Sequence, residues 1–432
     1  MVPRHVLGGR GYTPPSEKLN IAGVGIGGMG AGNLMGLRSE NIVALCDVDQ
    51  KYAARSYHRF PGARRYVDFR VMLERQKDID AVMVATPDHM HAPISMMAIR
   101  LGKHVYCEKP LTHTVYEARK LAEAAREHKV ATQMGNRGQA REGVRRLCEW
   151  IWDGAIGPVR EVHAWTDRPM KGIYGQYWPQ GVERPADRPP VPSSIDWDLW
   201  LGVAPKRPYH PAYLPFKWRG WWGFGTGALG DIGCHNLDAV FRALKLEYPE
   251  SVEASSSPVN DETYPAASIV TYRFPARGEM PALKLVWYDG GLRPSRPVEL
   301  EEGQRLGSYT NGQLFIGDKG SIMTTGSGGD PALISPARRK EYQPPPKTLP
   351  RSPGHYEEWI DACKGGAPAG SNFDHAGPLT ETVLLGNVAL RRALREKLAT
   401  ERLLWDGPNL KITNVPEANR YLHREYREGW AL

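Results

Sequence analysis

The chain is poor in cysteine and has no long apolar run. Its 432 residues include five cysteines, an odd number, and no two of them stand in a Cys-x-x-Cys pair. This argues against a disulfide framework and against a zinc site built on thiolates. No stretch approaches the ~18 consecutive apolar residues of a membrane helix, so we predict no membrane partner. His89 and His91 have the spacing of metal ligands, but no third ligand is near them in the sequence, and we predict no bound metal.

A concentrated block of one charge is also absent. Lysine and arginine number 56 against 48 aspartates and glutamates, which gives a formal net charge of +8 at pH 7. The basic residues are scattered along the chain and form only short groups, such as Arg338-Arg339-Lys340. Nucleic-acid-binding proteins concentrate such residues on one face, so we predict no nucleic-acid partner. With 41% hydrophobic and 24% charged residues, the chain has the balance of a folded globular protein.

A glycine-rich turn between two short apolar runs organises residues 19–47. Its glycines stand in G-x-G-x-x-G register. Gly25 permits a tight turn, Gly27 lets the backbone approach a pyrophosphate, and Gly30 lets a helix pack on a strand. The start of the helix would present unpaired N–H groups and a partial positive charge to the phosphates. We therefore predict that five residues of the turn contact a dinucleotide: Gly25, Gly27, Gly28, Met29 and Gly30.

The second apolar run of this unit ends at Asp47. An acidic residue at that position accepts hydrogen bonds from both hydroxyls of the adenosine ribose, and it would repel a 2′-phosphate. The order strand, glycine turn, helix, strand and acid therefore predicts a Rossmann unit. It favours NAD as the cofactor, with NADP less favoured.

The remaining pattern predicts two domains after an extended arm at residues 1–18. Strands and helices alternate through about six strands up to Gly135, which indicates a doubly wound parallel sheet over residues 19–136. Residues 137–432 mix helical stretches, among them 231–244 and 379–397, with strands typical of an antiparallel sheet. A Pro/Trp-rich segment, 170–215, has little periodicity, and a loop of that length is usually functional.

Lys109 is the first candidate for chemistry. It comes after the strand-like run that ends at Cys107 and precedes Pro110, which sets it in an extended conformation at the edge where such sheets bind ligands. An ammonium beside a nicotinamide can orient a substrate hydroxyl and stabilise the developing alkoxide. The alternative is a surface lysine before a loop proline, and position alone does not decide between the two.

Asp231, His235 and Asp238 form the second candidate. Their i, i+4, i+7 spacing puts them on one face of a helix. Imidazole suits proton transfer near neutral pH, and a neighbouring carboxylate can orient it. The alternative is a polar helix face whose histidine satisfies a buried backbone group.

Together with the glycine fingerprint, these segments resemble the Gfo/Idh/MocA family of oxidoreductases over about residues 19–395. The resemblance also includes Thr86-Pro87, His91 and the segment 102–110. It implies a Rossmann domain followed by an α/β domain with an open, mostly antiparallel sheet that often makes dimer or tetramer contacts. It further implies a tightly held nicotinamide cofactor, contacted by Thr86, Pro87, His91 and Glu108 in addition to Lys109.

In the scheme that the resemblance implies, His235 is the general acid/base, Lys109 polarises the reacting oxygen, and Asp231 supports the pair. Aromatic and arginine residues of the second domain suit sugar rings, although core packing is the alternative for any single tryptophan. The predicted substrate contacts are Asn136, Arg137, Trp165, Arg168, Trp221, Trp222 and Asp238. The leading hypothesis is an NAD(P)-dependent oxidoreductase that acts on a secondary hydroxyl of a sugar, cyclitol or glycoside, and that assembles as a homodimer or homotetramer.

Two other functions remain open. One is an NAD-recycling glycosidase or lyase that works by transient oxidation, and the other is a non-catalytic sugar or cofactor sensor. Residues 2–9 resemble the segment just after a twin-arginine export signal in periplasmic relatives, so we expect a periplasmic location, with the cytoplasm as the alternative.

Overall fold

The computed structural model describes residues 14–172 and 174–432, and its first part is a six-stranded parallel sheet. The strand order is β3-β2-β1-β4-β5-β6, with helices between successive strands, which confirms the predicted doubly wound sheet. Most of the predicted arm, and the segment 2–9 on which the export prediction depends, lie outside the described residues. The elements are β1 (Asn20–Val24), α1 (Gly28–Gly36), β2 (Asn41–Cys46), α2 (Gln50–Arg59), β3 (Arg64–Tyr66), α3 (Phe69–Arg75), β4 (Ala81–Val84), α4 (His91–Arg100), β5 (His104–Cys107), α5 (Val115–Glu127) and β6 (Thr132–Met134).

The central strands of this sheet are continuous apolar runs. β4 is buried at all four positions and β1 at four of its five, because helices cover both faces of the sheet. The last residue of β1, Val24, lies opposite Cys46 of β2 and Val84 of β4. The strand order reverses beside β1, which opens a crevice at the carboxyl ends of the strands.

The second part contains a nine-stranded mixed sheet of order β13-β12-β11-β7-β10-β9-β8-β14-β15. Only the β7–β10 pair is parallel, which confirms the prediction of a mostly antiparallel sheet. Buried and half-buried residues alternate along β9, as expected for strands with one face on the core. The elements are α6 (Glu142–Trp152), β7 (Val159–Thr166), α7 (Trp197–Leu201), α8 (Gly227–Asn236), α9 (Asp238–Leu244), β8 (Ser251–Ser256), β9 (Ser268–Phe274), β10 (Leu283–Tyr288), β11 (Asn311–Gly317), β12 (Gly320–Thr324), β13 (Ala332–Leu333), α10 (Pro336–Glu341), α11 (His355–Cys363), α12 (Phe373–Ala389), β14 (Leu403–Asp406) and β15 (Lys411–Ile412).

Two predicted helices have different limits in the structure. The helix predicted over 231–244 is two helices, α8 and α9, which are separated at Leu237. The helix predicted over 379–397 begins earlier and ends at Ala389. This helix, α12, packs on α5 and β6 of the first sheet, and the N–H of Phe373 donates to Thr132 Oγ1 at 3.0 Å. The chain therefore returns to the first domain after building the second.

The Pro/Trp-rich segment folds onto the first sheet. The N–H of Gln50 donates to the carbonyl of Ser194, and the N–H of Asp196 donates to the carbonyl of Val48, both at 2.9 Å. Its short helix α7 belongs to an aromatic cluster in which the rings of Trp197 and Trp200 stack 4.8 Å apart. These contacts hold the segment over the crevice. Within residues 14–172 and 174–432, no helix combines the length and the apolar character that crossing a membrane requires.

Candidate active site

A cavity of about 500 Å³ lies between the carboxyl edge of the first sheet, the Pro/Trp-rich segment and α8. Small-molecule sites in proteins are commonly clefts of roughly 300–1,000 Å³ at such places. The predicted site residues that line it are Gly25, Gly27, Gly28, Met29, Asp47, Thr86, Pro87, His91, Glu108, Lys109, Arg168, Asp231 and His235. The structure therefore brings most of the predicted cofactor residues and all three predicted catalytic residues to one cavity.

The glycine turn has the close approaches that only glycine allows. Gly25 has a φ of +75°, and a Cβ there would lie 2.6 Å from the backbone nitrogen of Thr86. A Cβ on Gly30 would lie 1.9 Å from the carbonyl oxygen of Gly25, so Gly30 packs α1 on the turn without lining the cavity. Helix α1 begins at Gly28 with its N-terminus at the cavity, where its first N–H groups can meet a phosphate. This cradle fits the pyrophosphate of a dinucleotide.

Asp47 is fixed at the same turn by main-chain donors. Its Oδ2 accepts from the N–H groups of Ile26 at 2.9 Å and Gly27 at 3.3 Å, and its Oδ1 accepts from Asp49 at 3.0 Å. Burial raises the pKa of Asp47 to about 6, against the opposing effect of these three donors. The group is mostly a carboxylate at pH 7, so it can accept from ribose hydroxyls and disfavours a 2′-phosphate.

Lys109 and Arg219 share the carboxylate of Asp231. Lys109 Nζ donates to Asp231 Oδ1 at 2.6 Å and to its carbonyl oxygen at 2.7 Å, and Arg219 Nε donates to the same Oδ1 at 2.8 Å. Burial alone would raise the pKa of Asp231, but the two cations hold it well below its usual range. Asp231 is therefore a permanent anion that keeps the ammonium of Lys109 at the cavity wall.

His235 lies on α8, four residues after Asp231, and its half-buried ring lines the cavity. Burial and the nearby charge of Lys109 lower the pKa of His235 to about 3. The ring is neutral at pH 7 and can accept a proton from a ligand in the cavity.

His91 and Glu108 support the site from the first domain. His91 Nδ1 lies 2.8 Å from the carbonyl of Pro110, and its Nε2 lies 2.9 Å from the carbonyl of Thr86. The buried ring thus joins the loop after β4 to the turn that carries Lys109. Glu108 accepts from Asn33 Nδ2 of α1 at 2.9 Å, which connects that turn to the helix of the glycine fingerprint.

Of the two arginines predicted to contact the substrate, Arg168 lines the cavity and Arg137 does not. Arg168 lines it, paired with Asp167 at 2.7 Å, with its guanidinium 3.8 Å from the centre of the Tyr177 ring. Arg137 does not line it. Its guanidinium lies 3.6 Å from Glu108 and donates to Asn33 Oδ1 of α1 at 3.3 Å.

Five other predicted substrate residues do not line the cavity. Trp165 is fully buried on β7, Trp221 donates to the carbonyl of Ala212 at 3.0 Å, and Trp222 packs against Tyr264. These three indoles fill cores, as tryptophan most often does.

Asn136 and Asp238 bind each other instead of facing the cavity. Asn136 Nδ2 donates to Asp238 Oδ1 at 2.9 Å, and His375 Nε2 lies 2.7 Å from the same oxygen. Asp238 begins α9, after the break at Leu237, and it lies in this buried network.

Sequence reasoning missed several cavity residues. Asp88 directly follows Thr86-Pro87, so its place at a strand end was a usable signal. Thr226 Oγ1 donates to its Oδ2 at 2.6 Å, and burial raises the pKa of Asp88 to about 7 against the effect of that bond. Trp430 also lines the cavity, and nothing local in the sequence indicates this. Over residues 14–172 and 174–432, no three His, Cys, Asp or Glu side chains group as a metal site would require.

Family comparisons agree with this geometry. The model of the GFO_IDH_MocA oxidoreductase family, NAD-binding Rossmann fold, matches residues 19–136. The model of the same family's C-terminal alpha/beta domain matches residues 171–278.

Several named proteins are similar to parts of the chain. Levoglucosan dehydrogenase of Pseudarthrobacter phenanthrenivorans is 26% identical over 45% of this chain and 40% of its own length. Inositol 2-dehydrogenase of Rubrobacter xylanophilus is 35% identical over 25% of this chain and 32% of its own length. The chain thus matches less than half the length of these relatives.

Solved structures share the fold. The WlbA dehydrogenase from Bordetella pertussis, in complex with NADH and UDP-GlcNAcA, has a TM-score of 0.60 at 17% identity, over 90% of this chain and 99% of that one. GenD2 from gentamicin A biosynthesis, in complex with NAD, has a TM-score of 0.58 at 19% identity, over 93% of this chain and 99% of that one.

Proposed function

Because the chain belongs to the Gfo/Idh/MocA family of NAD-binding oxidoreductases, we propose that it moves a hydride between NAD and a secondary hydroxyl carbon of a sugar, cyclitol or glycoside. One observation carries the proposal: Lys109 and Asp231, from different domains, pair at 2.6 Å in the cavity that the glycine turn and His235 also line. An ammonium, a fixed carboxylate and a neutral imidazole around one cavity are the groups that alcohol oxidation requires.

The residues that would hold NAD fit it. The glycine turn and the start of α1 suit the pyrophosphate, and Asp47 suits the adenosine ribose. Bound NAD would supply the acceptor for the hydride. The carboxylate of Asp47 favours NAD over NADP.

Lys109 and His235 would both act on the substrate oxygen, in different roles. Lys109 already gives two hydrogen bonds to Asp231, and its third N–H can point to a hydroxyl and stabilise the negative charge that develops there. His235 would accept the hydroxyl proton during oxidation and return it during reduction. Asp231 positions Lys109 and keeps it charged.

The second-domain wall supports a carbohydrate ring as the substrate. Tyr177, Trp178, Phe216 and Trp218 line the cavity beside Arg168 and Arg219. Aromatic faces suit the C–H faces of a sugar ring, and guanidinium groups can donate to its hydroxyls. The dehydrogenases similar to this chain are named for levoglucosan and inositol, two compounds of this class.

A second function is favoured by Asp88. Oxidation of one carbinol carbon acidifies the neighbouring C–H bond, so elimination followed by re-reduction needs a further acid/base group near the ring. The buried carboxyl of Asp88, with its pKa raised by burial to about 7, lies in the cavity and has the proton affinity for that role. Cleavage of a glycoside without accumulation of NADH would identify this reaction.

Variants of the two catalytic groups test the proposal. We would follow NADH absorbance near 340 nm with D-glucose, myo-inositol and levoglucosan, using the wild type, Lys109→Ala and His235→Ala. Each variant should lose about 10²–10⁴-fold in turnover, because positioned acid/base groups contribute that much. Binding of NAD, measured by calorimetry, should persist in His235→Ala.

Exposed residues of the same type provide controls. Lys77 and His128 lie on the surface of the first domain. Their substitution by alanine should leave turnover unchanged. Turnover near the wild-type value in both Lys109→Ala and His235→Ala would refute the site. Tight binding of one of these sugars with no change in the cofactor and no cleaved product would indicate the sensor instead.

A further inference from the structure

The end of the cavity beyond Asp47 is built around the loop after β3. The N–H of Asp47 donates to the carbonyl of Tyr66 at 3.2 Å, so the ends of β2 and β3 are adjacent. The next residues, Val67, Asp68 and Phe69, line the cavity together with Asp47. Because an acid at this position binds the adenosine ribose, the adenine base must lie at this end.

A residue distant in sequence also lines this end. The indole of Trp430 has its ring centre 6.1 Å from that of Phe69, at an interplanar angle of 34°. The guanidinium of Arg70 lies 4.3 Å from the centre of the same indole. Trp430 is half-buried, so part of its aromatic surface is open to the cavity.

The segment that carries Trp430, residues 424–432, is held by both domains. Arg427 Nε donates to the carbonyl of Gly202 at 3.0 Å, and its Nη2 donates to that of Asp198 at 2.9 Å. At the other end, Arg100 Nη1 of α4 donates to the main-chain oxygen of Leu432 at 2.7 Å. The indole is therefore fixed at the cavity before any ligand binds.

We propose that the segment 424–432 completes the NAD site and that Trp430 provides an aromatic surface against which the adenine base packs. A purine has a large π face, and a rigid indole beside it adds contact area at little entropic cost. The proposal depends on NAD binding and not on the identity of the substrate.

Three substitutions of Trp430 distinguish base stacking from simple packing. Affinities for NAD and for ADP-ribose would be measured by calorimetry on the full chain. Trp430→Ala should weaken both by the same factor, roughly tenfold, as for base–aromatic contacts elsewhere. Trp430→Phe should retain most of the affinity. Trp430→Leu keeps apolar bulk without a π face, so it should lose as much affinity as Trp430→Ala.

Trp152→Ala is the matched control, because Trp152 is an exposed indole on α6 that does not line the cavity. It should leave both affinities unchanged. Four results would overturn the proposal: unchanged affinities in all three Trp430 variants, equal loss in all three, full retention by Trp430→Leu, or a loss confined to NAD and absent for ADP-ribose. The proposal is tested by affinity for NAD and ADP-ribose alone, whereas the proposed reaction is tested by turnover of Lys109→Ala and His235→Ala, so failure of one is distinct from failure of the other.

Discussion

The shared carboxylate of Asp231 gives a prediction whose size can be worked out from the structure. Asp231→Asn keeps the shape of the side chain but removes its charge. Lys109 Nζ and Arg219 Nε both lie within 3 Å of Oδ1, at 2.6 Å and 2.8 Å, and their side chains are only 10% and 15% exposed. The substitution therefore leaves two nearly buried cations facing each other.

Two unit charges about 5 Å apart repel by about 3 kcal/mol at an effective dielectric constant of ~20, and in the wild type the carboxylate of Asp231 offsets this repulsion. Removal of one partner from a buried ion pair costs about 3–5 kcal/mol of stability in other proteins, which agrees with that figure. We expect Asp231→Asn to lower the free energy of unfolding by about 3 kcal/mol. We also expect turnover to fall about 100-fold, because Lys109 loses the group that positions it.

The pH dependence of this deficit has a defined sign. The pKa of Asp231 is lower in the folded protein than its unfolded value of about 3.9. Its contribution is therefore complete above the unfolded pKa and is lost only as the pH falls through the folded one. The stability difference between wild type and variant should shrink below about pH 4.

Urea unfolding followed by circular dichroism measures this difference at each pH. Asp330→Asn is the control, since it breaks an exposed ion pair: the side chain of Asp330, which pairs with Arg146, is 68% exposed. This substitution should change the free energy of unfolding little. The reasoning is refuted if Asp231→Asn is as stable as the wild type, or if its deficit does not shrink below about pH 4.

Three further predictions concern the cofactor and the assembly. Asp47→Ala should raise the affinity for NADP relative to NAD by at least about tenfold in calorimetry, since the repelling carboxylate is gone; an unchanged ratio would contradict its assigned role. Gly30→Ala should abolish NAD binding and lower the melting temperature, because its Cβ would lie 1.9 Å from the oxygen of Gly25, whereas Gly32→Ala on the same helix has open space and should do neither. The sheet face that carries half-buried Ile269 and Thr271 should form a homodimer or homotetramer contact. Light scattering should therefore give a mass that is a multiple of 48.2 kDa, and Thr271→Arg should reduce this mass. A monomeric mass for the wild type would contradict this prediction.

Local features of the site could be predicted from the sequence. The glycine turn and Asp47 depend on a few neighbouring residues: Gly25 has the left-handed φ of a tight turn, and Asp47 lies beside that turn. Lys109 precedes a proline at a strand end, so its place at the sheet edge also results from local rules.

The remaining features depend on tertiary packing. Whether an indole such as Trp165 faces a cavity or a core is decided by strands and loops far from it in sequence. The break at Leu237, which separates Asp238 from Asp231, interrupts a pattern that is typical of one helix. Trp430 reaches the cavity through contacts from both domains, and no local pattern encodes these.

Isotope transfer tests the central claim most directly. D-glucose, myo-inositol and levoglucosan would each carry deuterium on their secondary carbinol carbons. Each compound would be incubated with the protein and NAD, and the reduced cofactor would then be examined by mass spectrometry. We predict NADH one mass unit heavier than unlabelled NADH with at least one of the three compounds, formed about 10²–10⁴-fold more slowly by His235→Ala. Reduced cofactor without deuterium, or equal labelling in the variant, would contradict direct hydride transfer at this site.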